Sequence, residues 1–206
     1  MKPVISPLAT PYQFEKFFNE GETRWNDRGG AKIKTIVIHH MAMTDFDAVP
    51  EVWREREASA HYGIGPNGEI RAYVGEEKRA WHAKQANADS IGIEICNISK
   101  EPNWGVSDKS IDALVRLIGD ISKRYGIKME IIGHQFARGN TPEMTECPGP
   151  TLTRRLPEIR KKVEVILGHH FSEISKNVKE QAAQVNSQRN SMGMLDKKMD
   201  PMMKNK

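Results

Sequence analysis

Between residues 33 and 38 the chain is mainly β-branched, with Ile33, Thr35, Ile36, Val37 and Ile38, the composition of a buried strand that runs into His39-His40. The period then changes. Phe46, Val49 and Trp53 recur at intervals of three and four residues and predict a helix over residues 45–58, with Pro50 near its first turn, where no backbone N–H is needed. Tyr62-Gly63-Ile64 and residues 70–74 flank Pro66-Asn67-Gly68, the pattern of two short strands joined by an Asn-Gly turn. Residues 90–96 alternate, with Ile91, Ile93 and Ile95 on one face and Gly92, Glu94 and Cys96 on the other. Ser107 suits the N-cap of a helix whose stripe of Ile111, Leu114, Val115, Ile118, Ile121 and Tyr125 ends at Gly126. A short strand over residues 130–133 leads to His134, and Leu156, Ile159, Val163 and Ile166 mark a basic amphipathic helix from Thr153 to about Leu167. Strands and helices interleave, so the expected fold class is α/β, a central mixed β-sheet flanked by helices.

A chain of 206 residues can bury one full core, and one active site is expected. Residues 1–31, broken by Pro3, Pro7 and Pro11, read as an N-terminal extension packed on the domain, and residues 32–168 as the catalytic domain. Residues 169–206, rich in Gln, Asn, Lys and Met, read as a basic tail; Phe171, Ile174 and Val178 continue a helix, and disorder is expected from about residue 186. The net charge of +4 resides in residues 176–206, which hold seven basic and three acidic side chains and leave 24 of each sign elsewhere. The body therefore lacks the basic field of a nucleic-acid binder. No window approaches the roughly 20 apolar residues of a transmembrane segment. The N-terminus, with its prolines and Glu15, lacks the apolar stretch of a signal peptide. Cys96 and Cys147 are too few for a disulfide scaffold, and both are expected to be reduced.

His39 and His134 each end a predicted strand, where α/β sheets present functional groups, and Cys147 follows thirteen positions after His134. Two imidazoles and a thiolate suit catalytic zinc, which keeps three protein ligands and an open position. Long-range His and Cys residues have no local signature, however, and the same residues read equally as strand caps and a small core thiol. Glu94, in the apolar run Ser-Ile-Gly-Ile-Glu-Ile, is costly to bury unless paired or protonated, so it is either a functional carboxylate or half of a buried ion pair. His169-His170 reads as a solvated cap on a helix C-terminus.

Five ordered motifs settle between these alternatives by resemblance: Ile36-Val37-Ile38-His39-His40, Ala60-His61-Tyr62, Ala80-Trp81-His82-Ala83, Ser90-Ile91-Gly92-Ile93-Glu94 and Thr145-Glu146-Cys147-Pro148-Gly149-Pro150. From about Lys32 to Leu156 the chain resembles the type-2 N-acetylmuramoyl-L-alanine amidases, which include phage endolysins, bacterial wall-recycling amidases and the peptidoglycan-recognition proteins. Within that family it resembles the amidase domains of Gram-positive phage endolysins. The resemblance implies an amidase/peptidoglycan-recognition-protein-like fold, a Zn2+ cofactor held by His39, His134 and Cys147, and His40 turned to the opposite strand face. It implies Glu94 as general base and proton shuttle, with Thr145 as a weaker electrophilic helper where some phage enzymes carry lysine. His61, Tyr62, Trp81 and His82 are implied as substrate contacts. Two departures stand out: the tyrosine that other members place before the hairpin histidine is Ala60 here, and the spacing from His134 to Cys147 implies an insertion around residues 137–144.

The implied activity is cleavage of the bond between the lactyl group of N-acetylmuramic acid and L-alanine in peptidoglycan. A non-catalytic peptidoglycan-binding module is the first alternative, disfavoured because Cys147 is present, and a protein-regulatory module is the second. The expected setting is a phage or prophage lysin that stays in the host cytoplasm until released to the wall or rides in the virion; a cytoplasmic wall-recycling enzyme is the alternative. The basic tail is either an inert solubilising segment or a contact to anionic wall polymers.

Overall fold

The computed structural model describes residues 3–13 and 22–203, with no side-chain description for residue 182 or for 185–203. It divides into two compact units between Glu164 and Val165.

The first unit is built on a mixed sheet, as the alternation of strand and helix patterns predicted. Its strands among the described residues are β1 (Thr10–Pro11), β3 (Thr35–His40), β4 (Tyr62–Ile64), β5 (Ile70–Ala72), β7 (Ser90–Ile95) and β8 (Glu130–Gly133), in the order β1-β5-β4-β7-β3-β8. Among the described strands of this sheet only the β4–β5 pair is antiparallel; β3 pairs in parallel with β7 on one side and β8 on the other. Ile36, Val37 and Ile38 have no exposed surface, because a central strand with parallel neighbours is covered on both faces. A separate ribbon pairs β2 (Trp25–Asp27) with β6 (Lys78–Ala80). The N-terminal extension thus contributes β1 and β2 to sheets; residues 14–21 of it lie outside the described residues. These strands are two or three residues long, too short for a period-2 signal.

Helix α1 (Val49–Arg56) is shorter than the predicted 45–58, because the chain before it forms turns and Glu57 ends it in the left-handed region at φ 48°. Phe46, Val49 and Trp53 still pack as one cluster with Tyr73, Val74 and Cys96, so Cys96 joins the core just beyond the end of β7. Helix α2 (Asp108–Tyr125) begins where Ser107 accepts a hydrogen bond from the Ser110 N–H and stops at Gly126, φ 67°. Helix α3 (Gly149–Met203) buries Leu152, Leu156, Ile159 and Val163 in its first turns, and Arg160 donates to the Ile131 carbonyl at 2.8 Å, which fixes it beside β8.

One expectation about the tail is corrected. His169-His170 lies inside α3 and does not cap its end. From about residue 186, the stretch expected to be disordered, only the backbone is described, as helix to Met203; helix formers such as Lys176, Lys179, Glu180 and Gln181 lead into it.

A buried polar network braces the sheet away from the cleft. Glu76, without exposed surface, accepts from Arg124 Nη1 at 2.9 Å and Nη2 at 2.6 Å and from the Tyr62 hydroxyl, while Tyr62 Oη accepts from the Ser6 N–H at 2.7 Å. Arg28 spreads its guanidinium over the carbonyls of Glu76, Ala88 and Ser90 at 2.7, 2.8 and 2.9 Å. Burying such charges is tolerable because each meets several partners.

Candidate active site

Parallel register sets the centre of the site. His39 on β3 lies opposite Glu94 on β7, both at the C-terminal ends of their strands, where α/β sheets open a crevice. His134 follows the last residue of β8 and opens a single 3-10 turn, His134–Phe136. Cys147 arrives from the following loop: the Gln135 N–H donates to its carbonyl at 2.8 Å, and the Thr145 hydroxyl accepts from its N–H at 3.2 Å. Gly133 lets that loop approach, since a Cβ there would stand 2.7 Å from Pro148 Cδ. One ligand atom from each of His39, His134 and Cys147 lies within 4.8 Å of the other two. They line a cleft of about 280 Å³ together with Glu94, His82 and Trp81, and Met41, Val49, Val52 and Trp53 add apolar lining.

The donor set fits zinc. Cys147 Sγ stands 3.6 Å from His39 Nδ1. Bonds of about 2.3 Å to sulfur and about 2.0 Å to nitrogen at a tetrahedral angle put these atoms about 3.5 Å apart, close to that separation. His134 Nε2 and Glu94 Oε2 are buried with no hydrogen-bond partner. Burial, then the charge of neighbouring His134, holds His39 well below its ordinary pKa, and burial lowers His134 to about 4, so both imidazoles are neutral and carry a free lone pair. Burial and the Glu94 carboxylate push the Cys147 thiol well above its ordinary value, against a hydrogen bond from the His40 backbone N–H. A thiolate there calls for a cation. Burial raises Glu94 to about 8; its Oε1 lies 3.9 Å from His39 Nδ1, and no Lys or Arg among the described residues pairs with it.

Residues 29–150, more than half of the chain, match the family described as N-acetylmuramoyl-L-alanine amidase. The chain belongs to that family. A curated relative, N-acetylmuramoyl-L-alanine amidase A of Achromobacter lyticus, is 29% identical over 119 residues, which cover 52% of this chain and 65% of that protein; the chain thus spans just under two thirds of its relative's length. Among solved structures, the endolysin N-acetylmuramoyl-L-alanine amidase LysCS from Clostridium intestinale superposes with a TM-score of 0.60 at 22% identity, covering 77% of this chain and 97% of that one. AmpDh3 from Pseudomonas aeruginosa gives 0.52 at 27% identity, over 70% and 65% of the two chains.

Within this amidase-family domain, the residues expected at the site divide into two sets. His39, His134, Cys147, Glu94, Trp81 and His82 share the cleft. His61 and Tyr62, expected as substrate contacts, have no exposed surface, and neither lines it. His61 faces inward, where its Nδ1 accepts from the Gly92 N–H at 3.0 Å and its Nε2 lies 3.0 Å from the Lys78 carbonyl; Tyr62 belongs to the Glu76 network. Thr145 is also absent from the lining and instead shapes the turn before Cys147, so the oxyanion role is not supported for it. Trp81 donates through Nε1 to Asn26 Oδ1 at 2.6 Å, which holds its ring at the cleft wall. His40 reaches the cleft rim, packed edge-on against Trp104 with ring centres 5.2 Å apart, and is not part of the donor cluster. The loop at residues 137–144 is tied down by Arg138, which donates to the Gln85 carbonyl at 2.6 Å. Reading the motifs singly missed Ser90 and Gly92, although the alternation over 90–94 that put Glu94 on the cleft face put them there too.

Proposed function

We propose that this protein is a zinc-dependent hydrolase that cleaves the amide between the lactyl group of N-acetylmuramic acid and L-alanine in peptidoglycan. The observation that carries the reading is the convergence of His39, His134 and Cys147 donor atoms beside the buried Glu94 carboxyl, in the cleft of an amidase-family domain. Held by those three residues, zinc would supply a Lewis acid for the lactyl carbonyl and lower the pKa of a water. Glu94 takes a proton from the attacking water and returns it to the alanine nitrogen as the C–N bond breaks. Trp81 offers the sugar or lactyl-peptide a flat apolar surface.

The motif resemblance to phage amidases supports a phage or prophage endolysin as the setting. The basic excess in residues 176–206 supports a contact to anionic wall polymers, which added salt would weaken. The test pairs zinc content of the purified chain with mass spectrometry of peptidoglycan digested with and without a chelator. One zinc per chain and chelator-sensitive release of peptides with a free N-terminal alanine are expected. Zinc without cleavage would leave a binding module, and cleavage confined to small soluble fragments would favour wall recycling.

A further inference from the structure

We propose that Ser90 and His82 form a hydrogen-bond relay that sets the tautomer of His39 and so leaves its Nδ1 lone pair free for a metal. Both are positioning residues, and the inference rests on the zinc reading above.

The direction of the relay follows from proton counting. The Ser90 hydroxyl has one proton and stands 2.6 Å from the Ala86 carbonyl, which can only accept. Toward His82 Nε2, 3.3 Å away, Ser90 Oγ can therefore only accept, so that nitrogen carries the ring proton. With one proton per ring, His82 Nδ1 is an acceptor. It faces His39 Nε2 at 3.1 Å, which must then be the protonated nitrogen of His39. What remains is a bare Nδ1 on His39, aimed at Cys147 Sγ at 3.6 Å. Reversing His82 would put its proton on Nδ1, turn His39 Nε2 into an acceptor, and move the His39 proton onto the atom that has to bind metal.

The surrounding sequence is shaped to this relay. The His82 and Ala83 N–H groups donate to Asn87 Oδ1 at 3.0 and 2.6 Å, which anchors the backbone beneath the ring. Gly92 gives the ring its space: a Cβ there would lie 2.5, 2.6 and 2.8 Å from His82 Cγ, Nδ1 and Cδ2. In Ser90-Ile91-Gly92-Ile93-Glu94, the three residues on the cleft face thus supply the terminal acceptor, the room for the histidine and the carboxyl, while Ile91 and Ile93 fill the core.

The test uses the full chain labelled with nitrogen-15 at histidine and freed of metal by chelation. Long-range proton–nitrogen NMR is expected to show the Nε2–H tautomer at both His82 and His39, and Ser90→Ala to bring in the Nδ1–H form of each. By zinc competition, Ser90→Ala and His82→Phe should bind about 10–100-fold more weakly, with His82→Gln, which can still accept and donate, recovering part of the loss. Thermal melts of the chelated variants separate this effect from unfolding. An Nδ1–H His82 in the chelated wild type, or unchanged zinc affinity in both folded variants, overturns the relay. Failure of the wild type to bind zinc would instead remove the zinc reading, and the tautomers of the chelated protein would still decide the relay.

Discussion

Replacing Glu94 by glutamine separates chemistry from metal binding. The side chains have nearly the same volume, and Glu94 Oε2 has no hydrogen-bond partner to lose. The substitution leaves His39, His134 and Cys147 in place, so zinc content should stay at the wild-type value. Turnover should fall by about 10²–10⁴, the usual contribution of a positioned general base, or about 3–5 kcal/mol in the barrier. A second signature comes from titration. Burial raises the Glu94 pKa from 4.5 to about 8, so the folded, metal-free state holds a proton that the unfolded chain has released across that interval. Its stabilisation is fully present below pH 4.5 and is lost as pH rises toward 8, at about 1.4 kcal/mol per pH unit, reaching on the order of 4 kcal/mol. Glutamine does not titrate. In chelator, Glu94→Gln should therefore melt above the wild type at pH 8, with the gap closing near pH 4.5; at about 2–4 °C per kcal/mol the difference at pH 8 is roughly 10 °C. Scanning calorimetry from pH 5 to 8, with zinc analysis and peptide release, measures all three. Loss of zinc along with turnover, or parallel melting curves at every pH, would refute the assignment of Glu94 as a buried carboxyl beside the metal and not a ligand.

Three other outcomes follow from the packing. Gly133→Ala should cost about 1–3 kcal/mol in urea unfolding and weaken zinc binding, because the added methyl meets Pro148 and pushes the Cys147 loop outward. Tyr62→Phe should destabilise by about 1–3 kcal/mol through the lost hydroxyl on buried Glu76, yet leave zinc affinity and KM unchanged, which a substrate-contacting tyrosine would not do. His61 is held neutral, its pKa lowered to about 3 by burial and by the Arg28 guanidinium. Its folded value lies below the unfolded one, so its stabilisation is complete above about pH 6.5 and declines by about 1.4 kcal/mol per unit as pH falls toward 3; urea titrations at several pH values should show that acid slope flattened in His61→Gln.

Sequence by itself determined the elements whose periodicity is strong: the β-branched run that became β3, the alternation that became β7, and the capped stripe that became α2. The family resemblance also singled out His39, His134, Cys147 and Glu94, which the fold gathers at one cleft. Tertiary structure decided what periodicity does not encode. The two- and three-residue strands β1, β2 and β6 exist only through tertiary pairing: β2 and β6 hold each other, and β1 lies along the edge that β5 offers. His61 and Tyr62 looked like cleft residues because their motif lies beside the site in sequence order, but their side chains turn into the sheet to meet Gly92 and Glu76. His82, by contrast, reaches the cleft because Gly92 on a neighbouring strand makes room for its ring. Which nitrogen of His39 is free, and how far Cys147 stands from it, depend on contacts between residues 43 and 108 positions apart, and those distances are set by the sheet register and not by any local preference.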